Sequence, residues 1–420
     1  MSNLKKKLIK ETSWGIATKA IVFPMFFLIN IFLARTLGPD LWGAWSLFFS
    51  ILTIAFLFVM FGVKATIKFT AQHNYTEALP NVLKDAFILR IAISSVFAIG
   101  FFLLSTPLAQ WMQRPEFDSL FKLASPIIFL TGFVEHFKGV FTGLHRIKFN
   151  FFTSASEFSL KLLLIVALLT FVGVSLNNVV LAFGLALTIS MFVAGGLLYN
   201  NYRSLPANES QHSYVSEIFK YSLPLFIISA GFAIATEVDT LMLGWLANDL
   251  AVGDYAIAKQ LVTKLPHLSY AIAMGTMPIF AQITKENLAE RKKLFGRLLK
   301  LNSLLFVPIV AGIWLLSAWA IPFVYGTAYV GAVYPLQILS VYVLIFTYSV
   351  FFNQFLDYQG LAKKRAINLL LSLFINIGLN YYLIPIYSAT GAAISTSIAY
   401  LPYLLLNIWE TNKVFKDLKK

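Results

Sequence analysis

Six lysines stand inside apolar runs long enough to cross a membrane, and four of them are candidates to hold a substrate: Lys19, Lys138, Lys161 and Lys264. A charged side chain in hydrocarbon is costly and faces a cavity or a partner. Cations at that depth suit an anionic ligand such as a diphosphate, whose oxygens take charge-assisted hydrogen bonds. Spacing separates the four. Glu157 precedes Lys161 by four residues and Glu135 precedes Lys138 by three, so each of these lysines has an acid on its own helix face. Those two could equally be structural pairs. Lys19 and Lys264 have no such neighbour. Lys264 also stands two residues before Pro266, which frees a carbonyl and can break the helix.

Two further acids, Glu237 and Asp239, fall near the outer end of one run, and Lys259 falls near the outer end of the next. They are candidates for ion coupling or for structural pairing, with Asp239 and Lys259 able to close a hairpin. Arg90 and Lys122 lie near run ends, where long side chains reach the interface.

Catalytic chemistry finds no support. There is no G-x-x-x-x-G-K-[ST] phosphate loop and no G-x-S-x-G elbow. The five histidines show no metal-ligand spacing, and with no cysteine there are no thiolate sites or disulfides. We expect no enzyme activity, no metal and no cofactor.

The elements that position these charges are long helices. Of 420 residues, 58% are hydrophobic and 12% charged, about half the charge of a soluble protein. Runs of about 20 apolar residues, the length that crosses the hydrocarbon, fall at 13–34, 42–62, 86–106, 121–142, 151–173, 177–198, 221–246, 255–280, 301–321, 335–356, 367–384 and 389–409. They lack the alternation of barrel strands, so the fold class is all-α, polytopic, with about twelve transmembrane helices.

Lys and Arg set the direction. With the N-terminus inside, 24 of the 33 basic residues fall in tails and loops on that side, and only Arg35 and Arg114 on the other. Both termini come out cytoplasmic. The net charge of +14 is thus mostly an orientation signal and calls for no nucleic acid.

No connection is long enough for a soluble domain. The most polar stretch, Asn200 to Glu217, reads as a linker. We expect an N-terminal six-helix half over 1–200, a cytoplasmic linker over 201–220 and a C-terminal six-helix half over 221–420. Residues 33–49 match residues 243–259 at an offset that places Gly43 on Gly253. Each half starts inside and has an even number of spans, so the repeats are parallel around a central cavity, as in secondary transporters.

Specific stretches carry a resemblance. "LARTLGPDLWGAWSLFFSI" (Leu33 to Ile51) is similar to the A-R-x-L-G-P-x-x-[YFW]-G opening of oligosaccharide flippases of the polysaccharide-biosynthesis type. "YSLPLFI" (Tyr221 to Ile227), "VDTLMLGWL" (Val238 to Leu246), "VGDYAIAKQL" (Val252 to Leu261) and "VYGTAYVGAVYPLQIL" (Val324 to Leu339) resemble later stretches of that family in the same order. The resemblance implies the multidrug/oligosaccharidyl-lipid/polysaccharide exporter superfamily. It implies a flippase of the bacterial cytoplasmic membrane that moves an undecaprenyl-diphosphate-linked oligosaccharide by alternating access, for O-antigen, capsule or exopolysaccharide synthesis. The implied partners are that lipid-linked oligosaccharide, membrane lipids, and a polysaccharide polymerase with chain-length proteins. Lys19 and Lys264 occupy spans comparable to those carrying cations in related lipid II flippases. The alternative is a multidrug or other small-molecule exporter of the same superfamily. Such exporters carry acids in the first half, whereas Glu135 and Glu157 here each have a nearby lysine.

Overall fold

A computed structural model describes residues 3–202 and 212–418, with the side chains of 3–8, 228 and 232 outside the description. The central part of the expected linker, 203–211, therefore lies outside the described residues. The fold is all-α, with no strand among the described residues. The helices are α1 (Asn3–Val59), α2 (Val63–His73), α3 (Leu79–Trp111), α4 (Phe117–Gly143), α5 (Ile147–Phe171), α6 (Leu176–Tyr202), α7 (Val215–Leu246), α8 (Asp249–Val262), α9 (Pro266–Thr276), α10 (Leu288–Tyr325), α11 (Val333–Tyr358) and α12 (Ala362–Asp417). Nine helical stretches among the described residues are long and apolar enough to span a membrane.

The twelve sequence spans map onto these helices because two helices each hold two spans. α1 turns at Gly38, whose φ of 75° is a left-handed conformation that only glycine adopts without strain. Spans one and two lie on either side of it. α12 turns at Ser388, φ 51°, between spans eleven and twelve. Span eight is broken rather than continuous. It comprises α8, α9 and a short 3-10 segment, Met277–Gln282, and the break at residues 263–265 holds Lys264 in front of Pro266. That is where the sequence placed it.

One connection is more ordered than a loop. α2 follows a left-handed Gly62 (φ 85°) and buries Ala65, Thr66, Phe69 and Thr70. Its partner is the glycine pair on α4. A Cβ on Gly139 would press on Val63, and one on Gly143 would press on Thr70 and the Ile67 carbonyl. The G-x-x-x-G spacing thus permits close approach of α4 to α2.

The chain divides into two compact units: Met1–Leu37 with Phe48–Glu237, and Gly38–Leu47 with Val238–Lys420. In the first unit, phenylalanines interlock, with Phe48 stacked on Phe121 at 5.6 Å and Phe129 tilted against Phe133 at 4.7 Å. In the second, Phe280, Phe295, Phe355 and Phe415 form one cluster, with Phe280 edge-to-face on Phe295 at 5.6 Å and Phe355 tilted against Phe415 at 5.0 Å. Lipid supplies no hydrophobic drive for helix association, so such shape-matched aromatic contacts supply much of the packing. This accounts for part of the large phenylalanine complement.

The internal match also has a physical basis. Gly43 and Gly253, aligned by the sequence repeat, meet at one crossing within the second unit. A Cβ on Gly43 would fall on the Asp249 carbonyl, and one on Gly253 would stand 2.7 Å from the Pro39 carbonyl oxygen. Both hairpins need glycine because backbone meets backbone there. Gly43→Ala should destabilise the fold by about 3 kcal/mol or more through overpacking. The measurement is the thermal midpoint in detergent, with Gly296→Ala as control. Gly296 has nothing near its Cβ position, so alanine there should be neutral or stabilising.

Candidate functional site

In the first unit, α4 and α5 build a charged network from residues the sequence had paired separately. Lys138 Nζ donates to Glu135 at 2.8 Å and to Glu157 at 2.7 Å. Lys161 Nζ donates to the other oxygen of Glu157 at 2.6 Å. Glu157, Lys161 and Lys138 side chains are 8%, 11% and 13% exposed. The two pairs have fused into one neutral cluster, because Glu157 sits between both ammonium groups. Lys161 also lies 5.2 Å and 5.0 Å from the ring centres of Phe158 and Phe183, so its charge is satisfied on every side described. As free cations, then, Lys138 and Lys161 drop out.

A cavity of about 380 Å³ opens beside this network, and Lys19, Glu135, Lys138, Asn150 and Ser154 are among its lining residues. Lys161 is not at its wall. A second, more open groove of about 750 Å³ runs along α1, lined by Thr12, Gly15, Ile16, Lys19, Ala20, Phe23 and Pro24. Lys19 and Gly15 belong to both. Lys19 is exposed and has no carboxylate at ion-pair distance among the described residues, only the face of Phe23 at 5.6 Å. One cation therefore stands where a polar cavity meets an apolar groove. Thr18, Asn150 and Ser154, which sequence reasoning passed over, add neutral hydrogen-bonding groups to the polar side. Isolated polar residues in apolar runs are their only signal.

The second unit holds a different centre. Asp239, on α7, is buried and accepts hydrogen bonds from Tyr255 and Thr396 at 2.6 Å, Asn380 at 2.7 Å and Asn376 at 3.0 Å. All four donors are neutral. The hairpin pair expected between Asp239 and Lys259 is replaced: these donors take both carboxylate oxygens, and Lys259 donates to the neighbouring Thr240 at 3.0 Å. Asn376 and Asn380 were missed, although two asparagines four apart inside span eleven are a readable sign of an inward polar face. Glu237 belongs to the first unit and accepts from Ser50 at 2.7 Å. Lys264, half-buried, stands in the α8–α9 break, where its carbonyl accepts from the His267 amide at 3.3 Å.

The geometry separates structural from available charge. Glu157→Gln leaves Lys161 buried without a carboxylate and Lys138 with Glu135 alone, and should lower stability by about 3 kcal/mol. Lys19→Ala, at an exposed site, should stay within about 0.5 kcal/mol. Chemical unfolding in detergent distinguishes them.

Known proteins place the fold and the family. The fold matches an inward-facing multidrug resistance MATE transporter of the MOP superfamily, with a TM-score of 0.71, 15% identity, and coverage of 96% of this chain and 98% of that one. It also matches the inward closed conformation of the lipid II flippase MurJ, with a TM-score of 0.69, 15% identity, and coverage of 97% and 90%. An uncharacterized membrane protein of Methanocaldococcus jannaschii is 21% identical over 94% of each chain. The succinoglycan biosynthesis transport protein ExoT of Rhizobium meliloti is 27% identical over 29% of this chain and 24% of its own length. A family model described as polysaccharide biosynthesis protein matches residues 32–334, which include the Gly43 and Gly253 hairpins and the Asp239 carboxylate. On that match over most of its length, the chain belongs to the polysaccharide biosynthesis protein family.

Proposed function

We propose that the protein is a flippase that carries an undecaprenyl-diphosphate-linked oligosaccharide repeat unit across the bacterial cytoplasmic membrane, for the synthesis of a surface polysaccharide such as O-antigen, capsule or exopolysaccharide. The observation that carries this is the position of Lys19 between a polar cavity and an apolar groove. A lipid-linked sugar has the same order of parts: a hydroxyl-rich head, a diphosphate and an apolar tail. Lys19 takes the diphosphate through charge-assisted hydrogen bonds. Lys264, in its broken helix, is the second diphosphate cation.

Lys138, held between two glutamates, has a different role. The network presents alternating donors and acceptors from Lys138, Glu135 and Asn150, and these suit sugar hydroxyls. Lys161 holds Glu157 in place behind it. The two halves, 1–200 and 221–420 about the 201–220 linker, would alternate access with both termini cytoplasmic, as the basic loops require. Asp239, a buried carboxylate with only neutral partners, is the coupling group for an ion gradient; Glu237 and Lys259 flank it in sequence. A polymerase and chain-length proteins would take the product outside. The reading as a small-molecule exporter has one observation in its favour, the partly exposed Glu135 carboxylate at the cavity wall, which could hold an organic cation.

A deletion strain should accumulate lipid-linked repeat units on the cytoplasmic side and lose surface polysaccharide. Lys19→Ala and Lys264→Ala proteins, expressed at wild-type level, should restore less than about a tenth of it, whereas Lys19→Arg restores most. Full restoration by either alanine variant contradicts the assigned role. Normal surface polysaccharide with altered drug susceptibility favours the exporter.

A further inference from the structure

Several helix ends meet at one pole of the second unit. The start of α10, the end of α11 and the end of α12 pack through Phe295, Phe355 and Phe415. Their ring centres lie 5.5 Å (295–355), 6.1 Å (295–415) and 5.0 Å (355–415) apart. Leu361, just before α12 begins, packs on the same cluster. The cluster therefore gathers the cations of these segments at one end. Over residues 288–300, 362–365 and 411–418, seven Lys and Arg residues are exposed against two exposed acids, Glu290 and Asp417. Lys364 and Arg365 are committed to Glu410 and Asp357 and stand outside that count.

An orientation signal needs only that such charges be present. On α10 they also take a fixed order. Phe295, Leu298 and Phe306 are buried. The opposite face is exposed: Lys292, Lys293, Gly296 and Lys300, then Leu304 and Val307. Lys292 and Lys300 stand one turn either side of Gly296, about 6 Å along the axis in each direction. A Cβ on Gly296 would meet nothing. Glycine within a helix costs stability relative to alanine, and no neighbour packs against this one to require it. It leaves a notch of open backbone surface bracketed by ammonium groups, and one turn further the same face becomes apolar where span nine begins. Cations followed by apolar surface is the order of a phospholipid's parts, an anionic headgroup and its acyl chains. A soluble anion has no use for the apolar continuation. The cations at the two ends of α12 add to the positive potential at this pole.

We propose that this face of α10 seats an anionic phospholipid of the surrounding bilayer, with its phosphate over Gly296 between Lys292 and Lys300 and its acyl chains along Leu304 and Val307. The site is separate from Lys19 and its cavity, so the proposal stands or falls independently of the transported substrate.

The test uses purified full-length protein in detergent, with the rise in Tm on adding phosphatidylglycerol as the measure of binding. Phosphatidylglycerol should raise Tm saturably, whereas phosphatidylcholine and glycerol phosphate should not. In the Lys292→Gln/Lys300→Gln protein the lipid concentration needed should rise at least tenfold. Lys84→Gln/Lys148→Gln, which removes the same charge from exposed positions of the first unit, should respond as wild type does. Gly296→Leu fills the notch at constant charge and should weaken the response at least fivefold. Equal responses of the two double variants, or a Gly296→Leu protein that responds like wild type, make the attraction diffuse and overturn the proposal. An equal response to phosphatidylcholine overturns it as well. A response to glycerol phosphate equal to that to the lipid assigns the patch to a soluble anion, and one to polyglutamate assigns it to an acidic protein; either overturns the proposal.

Discussion

One ammonium group organises the first unit. Lys138 Nζ holds carboxylates from two helices, Glu135 on its own α4 and Glu157 on α5, and Glu157 in turn holds Lys161. Each charge alone in hydrocarbon would be prohibitive, and removing one member leaves the others uncompensated. Because these four charges cancel, the cavity beside them carries a wall of fixed, neutral hydrogen-bonding groups. The net positive charge at that wall is then left to Lys19. In the proposed function this neutrality supplies selectivity: two free lysines at the wall would favour any anion, whereas one lysine beside a neutral polar wall also asks for hydroxyls.

The second unit solves the buried-charge problem differently. Asp239 is held by two amides and two hydroxyls. Neutral donors stabilise a carboxylate without cancelling its charge, which leaves a buried negative centre. The two units thus hold charge of opposite character, one a compensated network beside a free cation, the other an uncompensated anion. The broken span eight fits the same logic. Lys264 stands in it where the freed helix backbone offers hydrogen-bonding groups within the membrane.

Much of this was legible in the sequence. The helical spans followed from the length of the apolar runs and their lack of strand alternation, since only helices and closed barrels satisfy the backbone in lipid. Pro266 announced the break that holds Lys264, and the Gly43–Gly253 alignment marked a crossing where backbone meets backbone. The helical spacing of Glu157 and Lys161 gave their pair. Helical periodicity speaks only of one helix, so the cross-helix bond from Lys138 to Glu157 was not legible, and two pairs were expected where one network stands. For the same reason Asp239 was matched with Lys259, the cation at the outer end of the next run, while three of its four partners, Asn376, Asn380 and Thr396, lie more than 130 residues away. Neutral amides carry no charge signal in a composition count. Only their regular spacing in span eleven betrays them.

The central claim is that Lys19 is the available cation for a lipid diphosphate, while Lys138 and Lys161 are committed to glutamates. The direct measurement is binding of undecaprenyl diphosphate to purified protein, by native mass spectrometry in detergent, for wild type and for the single variants Lys19→Ala and Lys161→Ala. Binding to folded Lys19→Ala should weaken at least tenfold and lose most of its salt dependence, while Lys161→Ala, where it folds, keeps its salt dependence. Equal affinity and equal salt dependence for wild type and Lys19→Ala would contradict the account.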